Sequence, residues 1–316
     1  MQNHASTVVV LGTGGTIAGT SPDPSDNIGY VAAQQGIAEL VRAVPALASA
    51  MLETEQVAQL DSKDMDHATW RALAARCALH LARPEVAGIV VTHGTDTLEE
   101  TAWFLQRVLA PAKPIVLTAA MRPATALQSD GPQNLADAVA VATSAGARGV
   151  VAVVGGRVFG ARDVRKVHPY RIDAFRAGDA GVIGVVEEGR LRRFRPWPEA
   201  ADAIGVAVLP ADAARWPLVA IVTSHAGASG AVVQALRAAG VRGLVVAATG
   251  NGSVHQELEA ALLEALRGGV RVLRCSRCGD GRVLDAADAA LPSADDLTPA
   301  KARVELMLQL LVSAAL

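Results

Sequence analysis

The chain has 316 residues, 51% of them hydrophobic and only 3% aromatic, with a formal net charge of −2. That length suits about two domains, and the near-balanced charge argues against nucleic acid or an anionic membrane as the main partner. Three cysteines, an odd number, exclude a full disulfide framework. Cys275-x-x-Cys278 lacks two further ligands at zinc spacing, so reduced bystander thiols are expected.

Residues 7–11 are a β-branched run that reads as a buried strand, closed by the Gly-rich turn of residues 12–16. The polar segment from Gly19 to Gly29 is dense in Pro, Asp, Ser and Asn, the composition of a mobile loop or lid, and Tyr30 stands at its far end. A helix is expected over about 34–43, a strand over about 53–60 ending in Asp61-Ser62-Lys63-Asp64, and a helix over 66–82. Ile89, Val90 and Val91 mark a second fully buried strand. It stops at a small polar cluster, Thr92 to Thr97, before apolar residues return at helical spacing through Leu109. Thr95 and Thr97 are candidate caps of that helix, with Glu99 and Glu100 in its first turn.

The rhythm repeats with a strand over 114–118, a helix over about 132–144 and a strand over 149–154 that turns at Gly155-Gly156. The charged stretch Arg162-Asp163-Val164-Arg165-Lys166 follows. Residues 189–216, with Pro196, Pro198 and Pro210 and no sustained period, read as a linker, and its basic run 190–195 as solvated. Strands over 218–223, 243–248 and 270–274 then alternate with helices over 229–239, 255–267 and 299–314. The expected fold is α/β, with a larger N-terminal domain (1–188) built on a mostly parallel sheet with flanking helices. A smaller, doubly wound C-terminal domain (217–316) follows the linker. The longest uncharged stretch, 216–236, is broken by Pro217, Ser224, His225 and glycines, so it is not a transmembrane span. The first residues lack a basic n-region, which favours a cytoplasmic location; a periplasmic protein with its leader removed would read the same way.

Gly-rich turns invite a nucleotide reading, and it fails. A dinucleotide fingerprint starting at Gly12 needs Gly at position 17, where Ile17 stands, and a phosphate loop ending at Gly19 needs Lys next, where Thr20 stands. Ser224 and Ser229 lack the frame of a serine-hydrolase elbow, and seven histidines contain no H-x-x-x-H pair. What remains is Thr16, Tyr30, Thr95, Asp96 and Lys166, on loops expected to meet at the carboxyl edge of one sheet. A threonine hydroxyl becomes a nucleophile when a base takes its proton, and a lysine amine oriented by an aspartate can do so. Gly14, Gly15 and Gly94 leave backbone N–H groups open to a developing oxyanion. Acyl transfer to a threonine oxygen is thus one reading, and plain helix capping by threonine the other.

TGGTIAG (13–19), HGTDTLEET (93–101), AAMRP (119–123), SDGPQNL (129–135), RDVRK (162–166), GNGS (250–253) and TPAKARV (298–304) resemble, in order, the bacterial L-asparaginase family. The resemblance implies hydrolysis of L-asparagine to L-aspartate and ammonia, without metal or organic cofactor, in homotetramers of close dimers whose sites are completed by the neighbour's smaller domain. By position, Thr16 resembles the primary nucleophile with Tyr30 beside it, and Thr95, Asp96 and Lys166 the second triad. Ser62 and Asp96 resemble the residues holding the substrate's α-carboxylate and α-amino groups, with backbone contacts from Gly94 and Ala120. Ser253 stands where some members carry Asn, and Lys63 where many carry Gln or Glu. The segment 278–288 has no Glu where glutamine-active members supply one to the neighbour's site, leaving Asp280, Arg282 or Asp285 as substitutes. A clear preference for asparagine over glutamine is therefore expected. The rival readings are a glutaminase-asparaginase of mixed specificity, an amidotransferase subunit, an autoprocessing threonine hydrolase, and a non-catalytic amino-acid-binding module.

Overall fold

A computed structural model of the chain describes residues 7–199, 202–287 and 289–315. Residues 1–6 of the expected first domain, 200–201 of the expected linker, and 288 and 316 of the expected second domain lie outside them. The chain divides into two compact units, one ending at Val206 and the other beginning at Ala207.

The first unit holds strands β1 (Thr7–Gly14), β2 (Leu52–Leu60), β3 (Val86–Thr92), β4 (Ile115–Thr118), β5 (Val150–Val154), β6 (Arg157–Gly160), β7 (Arg165–Lys166), β8 (Phe175–Arg176), β9 (Gly184–Glu187) and β10 (Arg190–Arg193). Its helices are α1 (Ile37–Arg42), α2 (His67–Leu81), α3 (Leu98–Leu109) and α4 (Gly131–Ala142). Eight strands form one sheet in the order β10-β9-β6-β5-β4-β3-β1-β2, while β7 and β8 pair separately. From β2 to β5 neighbours run parallel, and β6, β9 and β10 extend the sheet antiparallel. Alternation explains why β1 is buried along its whole length. Val8 and Val10 join Ile37, Leu40, Leu135 and Ala138 in one cluster, on the face covered by α1 and α4. Val9 and Leu11, equally buried, point to the opposite face. Each such side chain contributes about 1.5–3 kcal/mol by leaving water, which fixes the strand ends from which the polar loops depart.

Tertiary bonds moved several element boundaries. The first helix starts at Ile37 rather than near 34, because the Gln34 and Gln35 N–H groups both donate to the Ala18 carbonyl, at 2.7 and 2.9 Å. Within the stretch read as linker, Arg190–Arg193 is the sheet's edge strand, with Leu191 opposite Val186, and Trp197 is buried in the core.

The second unit contains β11 (Val219–Thr223), α5 (Ala231–Ala238), β12 (Gly243–Ala248), α6 (Gln256–Arg267), β13 (Arg271–Ser276) and α7 (Pro299–Ala315). Its three strands are parallel, in the order β11-β12-β13. Leu244 and Val246 pack with Val233, Leu258 and Leu262 of α5 and α6, while Gly243 lies against Leu306 of α7, so helices cover both faces. Among the described residues no helix is long and apolar enough to cross a membrane. All three cysteines are free, and burial pushes the Cys275 thiol up to about 12.

Candidate active site

After β1 the chain places its next strand on one side, and β3 on the other, so β1 and β3 flank the point where strand order reverses. Loops leaving the carboxyl ends of strands at such a point border a crevice. Here the two loops touch. Gly15 has φ of 82°, and a Cβ on it would lie 2.4 Å from the backbone N and Cα of Gly94. A Cβ on Gly94 would in turn lie 2.4 Å from Ser62 Oγ, on the loop that follows β2. Only glycine permits this stacking of three strand ends.

Thr16 is the first residue of a single 3₁₀ turn (Thr16–Ala18) and is 7% exposed. Its Oγ lies 2.6 Å from the Tyr30 hydroxyl, which arrives from the far end of the polar loop. Thr95 is buried, and Lys166 Nζ donates to its Oγ at 2.8 Å and to Asp96 Oδ1 at 2.6 Å. Lys166 is held by the short β7–β8 pair, opposite Phe175. Ser62 is buried, its Oγ accepting from the Asp96 N–H at 3.2 Å and its carbonyl from Thr97 Oγ at 2.8 Å. Ala120 is buried after β4, and a Cβ on Gly131 would lie 3.5 Å from its Cβ and 3.0 Å from Ile17 Cγ1. The first unit thus gathers Thr16, Tyr30, Ser62, Gly94, Thr95, Asp96 and Lys166, with Ala120 one side chain away.

Two details differ from expectation, at α3 and at Gly15. Neither threonine caps α3: Thr97, its N-cap, makes no side-chain capping bond, because its hydroxyl is drawn to Ser62 and that of Thr95 to Lys166. The Gly15 N–H is not open to an oxyanion, since it donates to the Leu60 carbonyl at 2.9 Å. Lys63 is occupied by its own turn, at 2.8 Å from Asp64 and 3.3 Å from Asp61. In the second unit, Ser253 closes a turn with Thr249 through backbone bonds of 2.8 and 2.9 Å. Asp285 there is spent on an ion pair with Arg274.

Sequence reasoning missed two groups that hold this site. Asp130 accepts the Met121 and Arg122 N–H groups, each at 3.0 Å, and the Asn134 amide at 3.1 Å, bracing the turn after Ala120. Burial pushes its carboxyl upward against those hydrogen bonds. The signal was the SDGPQNL match itself, to which no role attached.

His93, the other group, is fully buried behind Gly94 and lies 2.7 Å (Nδ1) from the Gly94 carbonyl. A carbonyl only accepts, so Nδ1 carries the proton; Nε2 then accepts from Thr101 Oγ at 2.9 Å, which accepts from Trp70 Nε1 at 2.8 Å. Burial, which disfavours the charged ring, lowers the His93 pKa from 6.5 to about 4. The unfolded chain takes up a proton below 6.5 and the native one does not. Stability from this group is therefore complete above 6.5 and is lost as pH falls toward about 4. Urea titrations from pH 7 to 4 should show about 3 kcal/mol of such loss, reduced by most of that amount in His93→Gln. A variant with the unaltered pH dependence would contradict the assignment.

With this geometry in view, relatives can be compared. Residues 7–198 match the family model described as Asparaginase, N-terminal, and residues 218–313 match the Glutaminase/Asparaginase C-terminal domain. The chain is 37% identical to the glutaminase-asparaginase of Pseudomonas fluorescens biotype A, over 96% of this chain and 86% of that protein. It is 36% identical to L-asparaginase 2 of Bacillus subtilis (strain 168), over 95% and 81%. A crystal structure of a probable cytoplasmic L-asparaginase from Campylobacter jejuni superposes with a TM-score of 0.87 at 37% identity, covering 96% of this chain and 95% of that one. Matches to both family domains across nearly the whole chain establish that this protein belongs to the asparaginase family of amidohydrolases.

Proposed function

We propose that the chain hydrolyses L-asparagine to L-aspartate and ammonia through a β-aspartyl ester on Thr16. The observation that carries this is a pair of hydroxyls in touching loops, Thr16 against the Tyr30 phenol and Thr95 against the Lys166 ammonium. Thr16 Oγ attacks the side-chain amide carbon, its proton is relayed through the Tyr30 hydroxyl to the amide nitrogen, the C–N bond breaks and that nitrogen leaves as ammonia. Water then cleaves the ester and returns a proton to Thr16, with Thr95, Lys166 and Asp96 activating it or relaying the proton. Ser62 and Asp96 hold the α-carboxylate and α-amino groups, Gly94 and Ala120 add backbone contacts, and Ser253 belongs to the neighbour's contribution. Tyr30 closes over the substrate as part of the lid. No metal or organic cofactor takes part.

Each site is completed by the smaller unit of a neighbouring chain in a homotetramer; a solution mass of one chain would remove that part of the reading. A cytoplasmic location accords with the compartment in the Campylobacter jejuni protein's name, and cell fractionation tests it. Ammonia release from asparagine and glutamine, together with intact-mass detection of the ester in quenched enzyme, tests the chemistry. With no Glu in segment 278–288 and Asp285 tied to Arg274, kcat/KM should favour asparagine by roughly 10- to 200-fold, the range one extra methylene commands. Comparable values for both amides would favour a glutaminase-asparaginase, the name of the Pseudomonas fluorescens relative. Binding without ammonia release would favour a non-catalytic module.

A further inference from the structure

The polar loop is a self-contained body. Its base is pinched by the Thr20 and Val31 backbones, which exchange hydrogen bonds of 3.0 and 2.9 Å. Inside it, Asp23 accepts from the Ser25 N–H and Asp26 from the Ile28 and Gly29 N–H groups, all at 2.8 Å. Besides the Tyr30–Thr16 contact, bonds from one segment about 100 residues away in sequence hold this body in place. Ala124 N–H donates to Gly19 O at 2.9 Å, and Leu127 N–H to Pro24 O at 3.2 Å. Between them a single hydroxyl makes two bonds: Thr125 Oγ accepts from the Ser21 N–H at 2.8 Å and donates to the Ser21 carbonyl at 3.1 Å. Segment 121–130 is itself anchored at its two ends by Asp130, through Met121 and Arg122. Arg122 also donates to Tyr170 O at 2.8 Å and stacks 4.2 Å over its ring, on the connection that leaves β7 just after Lys166.

We infer that Thr125 is a positioning residue, the latch through which segment 121–130 holds the loop shut and Tyr30 against Thr16. The latch rests on the reading of Tyr30 as the group that closes on Thr16. The same segment reaches the Lys166 hairpin through Arg122, so one brace spans both hydroxyl centres. Substrate binding that needs the closed loop loses apparent affinity in proportion to the closed fraction. Removing the latch therefore acts on KM before kcat once the open form predominates.

Thr125→Val keeps the side chain's shape and removes both bonds, and Thr125→Ser keeps the hydroxyl. In Thr125→Val, hydrogen exchange at the Thr20 and Val31 amides should quicken about tenfold, equivalent to about 1.4 kcal/mol, while Val90 in β3 stays at the native rate. KM for asparagine should rise several-fold with kcat held within about twofold, and Thr125→Ser should restore both readouts. Unchanged exchange at Thr20 and Val31, or a serine variant behaving like valine, would overturn the latch. The exchange result does not depend on which residue is the nucleophile. Activity surviving in Thr16→Ala would therefore end the catalytic reading while the latch is judged separately.

Discussion

Thr16→Ala is expected to lower ammonia release from asparagine on the order of 10⁴-fold or more, the scale seen when a covalent nucleophile is deleted. Thr16 is almost buried and its only side-chain hydrogen bond among the described contacts is to Tyr30. The substitution thus removes one reacting oxygen and one methyl, and leaves the loop backbone where Gly15 and Gly94 fix it. Aspartate binding, followed by calorimetry, should persist within a few-fold, because the proposed contacts to the α-groups lie on Ser62 and Asp96. No ester should form in quenched enzyme. Residual turnover above about one part in a hundred would show that another group attacks the amide, since oxyanion stabilisation and binding alone leave far less.

The second large effect is expected at Lys166. Its ammonium bridges Thr95 and Asp96, and its side chain is 18% exposed while that of Asp96 is 53% exposed. Lys166→Met leaves Asp96 in contact with solvent, so folding should change by less than about 1 kcal/mol. Turnover should fall by roughly 10² to 10⁴, the range of a lost general acid–base group. The two proposed duties of Lys166 separate in a rapid-quench experiment. A burst of ammonia followed by slow turnover, with ester accumulating on Thr16, places Lys166 in water activation. A slow first turnover places it in the attack step. A variant that keeps a tenth of the native rate would remove Lys166 from the chemistry.

Much of the fold and site was legible because it is written locally. Val8–Val10 and Ile89–Val91 are β-branched runs buried on both faces, and a sheet that buries both faces needs no alternation to be recognised. The glycines at 14, 15 and 94 announced turns that no other residue fits, and their juxtaposition with threonines and Lys166 survived folding. Where local signals failed, a bond between distant segments had outcompeted them. Thr97 looks like a helix cap by its neighbours, yet its hydroxyl goes to a carbonyl 35 residues away. Gln34 and Gln35 look helical, yet Ala18 takes their N–H groups. The run Arg190–Arg193 looks like solvated linker, since basic residues in an edge strand carry no period that distinguishes it.

The order of short polar loops and apolar runs determined, by itself, the α/β class, while the family was carried by motif resemblance such as TGGTIAG (13–19) and HGTDTLEET (93–101). Those depend on side-chain type and spacing within a dozen residues. Tertiary structure alone decided the contacts themselves, Thr16 to Tyr30 at 2.6 Å and Thr95 to Lys166 at 2.8 Å, and the pairing of Ser21 with Thr125, which no motif named. Such pairings join residues 14 to 104 positions apart. Their free energy is small beside the strand packing that brings them together, so no local pattern records them.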